Sequence, residues 1–77
     1  MEKEKIYEKL NSGVVSFKYE KLDGSIREAT GTCNLDIIST VAELPSKTEE
    51  NKDVIRYFDM DKLGWRSFRV ENFLNFV

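Results

Sequence analysis

Trp65, Arg66, Ser67 and Arg69 place an indole, two guanidiniums and a hydroxyl within five residues, and Arg27 and Tyr57 repeat that chemistry elsewhere in the chain. An indole stacks on a nucleobase and a guanidinium holds a phosphate, so these residue types suit nucleic acid or a nucleotide-like ligand. The competing reading is structural: Trp65 covers a helix contact, and Arg69 pairs with an acid such as Glu71 or Asp59. Spacing decides which groups can act together. In a strand the side-chain period is two, so Arg66 shares a face with Phe68 and Val70, whereas Arg69 shares one with Trp65 and Ser67. Phe68 and Val70 read as core, which sets Arg66 at a rim and leaves Trp65, Ser67 and Arg69 as an outer stripe.

Arg27 has an ordinary alternative as the cross-strand partner of Glu20, a surface pair worth about 0.2–1 kcal/mol. Arg56 falls in a covered strand and needs a partner carboxylate. Asp59 and Asp61 lie two apart, and Asp36, Glu43 or Asp53 is the third carboxylate a metal site would need. Nothing in the spacing makes them converge, and Asp commonly bonds its own backbone in turns. The chain has no His, so an ordinary zinc site and a His-based acid–base pair are absent. Cys33 therefore has no His to activate it, and the four glycines read as turns or strand ends with no phosphate-cradling loop. The expectation is a non-enzymatic protein without metal or cofactor.

These groups need elements to position them. Residues 2–11 read as a short helix whose Ile6, Tyr7 and Leu10 share one side, stopped by Asn11-Ser12-Gly13 with Gly13 left-handed. Residues 14–21 alternate, with Val15, Phe17 and Tyr19 on one face, as in a half-buried strand. Leu22-Asp23-Gly24-Ser25 is a hairpin turn. A two-residue turn sets Glu20 opposite Arg27 and Phe17 opposite Thr30; a three-residue loop with a Gly bulge shifts the pairing by one. Gly31 closes the second strand. Asn34-Leu35-Asp36-Ile37-Ile38 is a turn or single helical turn that drops Leu35 and Ile38 inward. Residues 39–53 form a polar, acidic stretch around Pro45, with 46–52 as a mobile loop. Residues 54–60 form a central or covered strand, 61–64 a turn, 65–70 a fourth strand and 73–77 a fifth that pairs with an open edge.

A chain of 77 residues holds one domain, and 40% hydrophobic residues suffice for one core. The net charge is −2, with −3 in residues 33–53 and +1 in residues 54–77. That balance argues against a general DNA-coating protein, whose affinity comes from neutralising many phosphates. No apolar run is long enough to span a bilayer, the charged start is no signal peptide, and a single Cys suits a reducing compartment, so a cytoplasmic protein is expected.

The pattern Val15-x-Phe17, then Asp23-Gly24-Ser25-Ile26-Arg27-x-Ala29-x-Gly31-Thr32, then Arg56-Tyr57-Phe58-Asp59 and Gly64-Trp65-Arg66-Ser67-Phe68-Arg69-Val70-x-Asn72 resembles the small WYL-like proteins. These are uncharacterised Sm/SH3-like barrels of bacteriophages and Bacteroides-type bacteria, and the resemblance covers residues 14–77. The family is distantly similar to the WYL domains of bacterial transcription regulators, which sense ligands or nucleic acid through a basic, aromatic barrel face. The Trp-Tyr-Leu triplet itself is replaced by Trp65-Arg66-Ser67, and no helix-turn-helix is attached in these residues. The resemblance implies a mainly β fold: an N-terminal helix (1–13) followed by a small five-stranded Sm/SH3-like barrel (14–77). It also implies a phage or mobile-element origin and a binding module for nucleic acid or a nucleotide in a regulatory or anti-defence role. The alternative is a protein-interaction module that inhibits or bridges a host protein, or a homo-oligomer built through a barrel edge.

Overall fold

A computed structural model describes residues 3–44 and 53–77; the expected loop over 46–52 lies outside the described residues. The chain runs α1 (Lys3–Ser12), β1 (Val15–Glu20), β2 (Ile26–Thr32), α2 (Leu35–Ile38), β3 (Val54–Asp59), β4 (Gly64–Arg69), a 3₁₀ turn (Val70–Asn72) and β5 (Phe73–Phe76). The strands form one antiparallel sheet in the order β4-β3-β2-β1-β5. β3 thus lies between two neighbours, as its apolar content on both faces requires. No helix among the described residues is long and apolar enough to cross a membrane.

α1 presents Ile6 and Leu10, four residues apart, to the core, where both are fully buried. Its last carbonyls, orphaned by the end of the helix, are met from elsewhere. Thr32 Oγ1 (2.9 Å) and the Cys33 N–H (3.0 Å) both donate to Leu10 O, and Asn34 Nδ2 donates to Asn11 O at 3.1 Å. Gly13 is not left-handed as expected: its φ of 158° is extended, so the chain passes straight into β1. Asn34 then caps α2, its side-chain oxygen accepting the N–H groups of Asp36 and Ile37. Only Ile38 of that turn drops inward. Leu35 stays exposed, because a four-residue helix presents only one side to the fold.

The β1–β2 hairpin adopts the three-residue loop. Lys21 N–H donates to Ser25 O at 2.7 Å, Gly24 N–H donates to Lys21 O at 2.9 Å, and Gly24 takes the left-handed φ of 89°. Consequently Tyr19 faces Arg27, Phe17 faces Ala29 and Glu20 faces Ile26, so the expected Glu20–Arg27 pair does not form. The second hairpin turns through residues 60–63, and its left-handed residue is Leu63 (φ 52°), with Gly64 already in the strand opposite Asp59. β5 pairs with β1 through a bulge at Lys18/Tyr19.

The sheet curls into a barrel. Tyr19 of β1 stacks on Phe68 of β4 with centroids 4.7 Å apart, although two strands separate them in sheet order. Phe17 sits at the centre, its ring against Tyr57 (5.0 Å), Phe68 (5.6 Å), Phe73 (6.3 Å) and Phe76 (6.3 Å). One buried cluster joins these rings to Ile6 and Leu10, so helix and barrel share a core.

Gly31 lies within β2 and does not end it. A Cβ there would meet Phe58 O and the Tyr57 ring, each at 2.6 Å, so only glycine lets β3 approach. Gly31→Ala is expected to lower stability by about 1–3 kcal/mol, the usual range for an overpacked core. A shift of the urea midpoint at unchanged slope measures it; an unshifted midpoint would show that the Tyr57 ring can yield.

Candidate functional site

At the end of β3 the Asp59 carboxylate is fully buried. Its Oδ1 accepts the N–H groups of Asp61 (2.9 Å) and Lys62 (3.0 Å), which builds the β3–β4 turn. Its Oδ2 accepts a hydrogen bond from Arg27 Nη2 at 2.7 Å and forms an ion pair with Arg66 Nε at 3.3 Å. Burial by itself pushes this carboxyl up. The Lys62 N–H, the Arg27 hydrogen bond and charge, and the Asp61 N–H outweigh it and hold Asp59 below the ordinary carboxylate range. Both oxygens are occupied by N–H donors or guanidinium, so the carboxylate is not presented to a cation.

Arg27 thereby leaves the surface role expected for it. Its side chain is 23% exposed, and its Nε is buried without a partner among the described residues. Beside it the hydroxyls of Tyr19 and Tyr57 lie 3.0 Å apart. Burial, then the Tyr19 hydrogen bond, raises the Tyr57 phenol above its ordinary value. Tyr57 is fully buried, so it offers a ligand no surface; it supports Tyr19 from beneath.

The curl of the sheet brings the β1–β2 tip beside β4. Trp65, Arg66 and Ser67 form one wall of an open depression of about 500 Å³. Tyr19 and the hairpin residues Lys21, Leu22 and Asp23 form the other. Trp65 is held in place: the Arg56 guanidinium lies 4.9 Å from its centroid, and Phe58 meets it at 83° and 5.5 Å. Arg56 therefore takes an aromatic partner in place of the expected carboxylate. Asp23 is held below its ordinary value by hydrogen bonds from the Ser25 hydroxyl and N–H.

Of the expected residues, Trp65, Arg66 and Ser67 meet at this depression, Arg27 and Tyr57 lie in the polar layer linked through Asp59 and Tyr19, and Arg69 stands apart. Arg69 pairs with Glu71 at 3.0 Å and lines a smaller hollow of about 240 Å³ with Asp53 and Val70. The outer stripe is thus divided between two hollows. Periodicity set Trp65 and Ser67 on one face of β4 and Arg66 on the other, yet it could not show that all three border one hollow. Tyr19, Lys21 and Asp59 were missed as site residues; an Asp that ends a strand and opens a turn, with arginines nearby in the chain, was the available sign. Cys33 is half-buried, donates to Arg56 O at 3.1 Å and has its thiol pushed up to about 12 by burial, which makes it a packing residue.

Removing one partner of a buried ion pair leaves the others uncompensated, so Asp59→Ala should cost about 3–5 kcal/mol. Because Asp59 titrates lower in the folded than in the unfolded chain, its stabilisation is complete above about pH 4 and is lost as pH falls through the folded value. Asp59→Asn should therefore flatten the acid side of a stability-against-pH curve measured by urea melts. An acid limb as steep as that of the parent would remove Asp59 from this role.

The family model described as "WYL_2, Sm-like SH3 beta-barrel fold" matches residues 3–74. An uncharacterized 11.5 kDa protein in the Gp31-cd intergenic region of Enterobacteria phage T4 is 34% identical over 70 residues, covering 87% of this chain and 69% of that protein. No solved structure matches the chain.

Proposed function

Because the chain belongs to the WYL_2 family of Sm-like SH3 β-barrels, we propose that it is a non-enzymatic binding module that takes nucleic acid or a nucleotide-like ligand in the depression beside Trp65. The similarity to a phage protein supports a phage or mobile-element origin, and a regulatory or anti-defence role in the cytoplasm would suit such an origin. One observation carries the proposal: Trp65, whose indole is fixed by Arg56 and Phe58, lines an open hollow together with Arg66 and Lys21. Stacking of a base on such a ring contributes about 1–3 kcal/mol and tolerates any base. Arg66 and Lys21 then supply charge for phosphate, and the Ser67 hydroxyl supplies a further hydrogen bond.

Trp65 is the single tryptophan and reports directly. Its fluorescence should change on addition of short single-stranded oligonucleotides or nucleotides at low salt, and the response should fade as salt rises. Trp65→Phe combined with Arg66→Gln should weaken binding, followed by anisotropy of a labelled oligonucleotide, by about tenfold or more. A silent Trp65 toward every such probe at low salt would end this reading.

A second reading, pairing with a host protein or a second copy, is favoured by one feature. Among the described residues β4 and β5 end the sheet order, and each has one row of N–H and C=O groups that no strand pairs. Light scattering should then give a mass above the 9.0 kDa monomer that rises with concentration, or a strand-paired complex with a partner. A monomer at every concentration would leave only the hetero-pairing form, which Pro substitution along the outer edge of β5 should abolish.

A further inference from the structure

Resting on the nucleotide reading above, we infer that the depression takes one nucleotide unit, either a mononucleotide or a single unstacked residue, and not an extended stretch of strand. The first ground is the number of stacking surfaces. Of the two aromatic residues that line the hollow, Trp65 is the one that is partly open, since Tyr19 is only 5% exposed and already stacked on Phe68. A groove that tracks a strand presents successive aromatic platforms. Here one base has a platform and a second base has none among the described residues.

The second ground is the distribution of charge. Among the described residues, Lys21 and Arg66 are the cations that line the hollow, and Asp23 offsets part of their field. The remaining arginines are turned to other work. Arg27 is bound to Asp59, Arg69 to Glu71 in the separate hollow, and Arg56 stacks behind Trp65. The Arg66 side chain is 42% exposed, lines the depression and is paired through its Nε with Asp59. Two cations match the charge of one nucleotide's phosphate. They do not make the continuous basic track that a polymer requires, on a chain whose net charge is −2. Size agrees: about 500 Å³ lies within the roughly 300–1,000 Å³ of small-ligand sites.

The test titrates the intact protein, read by Trp65 fluorescence, with adenosine and uridine monophosphates and with oligothymidylates of increasing length. One nucleotide unit predicts saturable binding by the monophosphates. It also predicts affinity for oligomers that rises no faster than the number of nucleotides they carry, and a log–log salt slope no steeper than about −2. Lys21→Gln, at an exposed hairpin position, should weaken monophosphate binding about fivefold to tenfold, whereas Arg69→Gln should leave it unchanged. Affinity that climbs more than about tenfold beyond that proportion, a slope of several phosphates, and a loss on Arg69→Gln would together identify a polymer track and overturn the inference while leaving the nucleic-acid reading intact. No response to monophosphates or oligomers of any length would overturn both.

Discussion

The buried Asp59 carboxylate is the constraint on which the rest of this barrel depends. Withdrawing a carboxylate from water costs several kcal/mol, and only close, well-aligned partners offset it. Here the partners come from three places: Arg27 on β2, Arg66 on β4 and two N–H groups of the β3–β4 turn. Their convergence fixes the order and spacing of β2, β3 and β4 at one end of the sheet. It matters most at the β2–β3 junction, where the ladder pairs only Gly31 with Asp59 and Thr32 with Phe58. The Arg27–Asp59 bond spans that short ladder, as does the Met60 N–H to Thr30 O at 2.9 Å.

Beneath this polar layer lies an aromatic one. Phe17 touches rings from β1, β3, β4 and β5, and Tyr57 can lie flat against β2 only because Gly31 has no side chain. The two layers meet at the Tyr19–Tyr57 hydroxyl pair, where core rings end and the arginines begin. For a domain this small, one apolar core supplies only a few kcal/mol, roughly 3–5, so neither layer is dispensable. The helix adds Ile6 and Leu10, and its C-terminal carbonyls are tied to Thr32, Cys33 and Asn34, which anchors the exit from β2.

The same architecture narrows what the surface can do. Four arginines sit on β2, β3 and β4, but each guanidinium already has a partner within the fold. Arg27 holds Asp59, Arg56 braces Trp65, Arg69 pairs with Glu71, and Arg66 alone is shared between Asp59 and an open hollow. A basic, aromatic composition therefore leaves only a small and localised surface open. Its position at the seam between the β1–β2 tip and β4 follows from the curl of the sheet, which brings those residues together.

By itself the sequence determined the local elements. The amphipathic helix, both hairpins, the covered third strand and a short fifth strand all follow from periodicity and turn chemistry within a few neighbouring residues. The side of β4 on which Arg66 stands was legible for the same reason. What only the tertiary structure decided was pairing over distance. Glu20 lost Arg27 through a single-residue change in loop length, which moves every facing pair, and Arg27 turned instead to an aspartate thirty-two residues away. Asp59 read as an ordinary turn residue until burial gave it two arginines. Trp65, Ser67 and Arg69 alternate on one face, yet which of them border the same hollow depended on a hairpin tip more than forty residues earlier in the chain. Periodicity reports the direction of a side chain along its own strand; the curvature of the sheet sets what it meets.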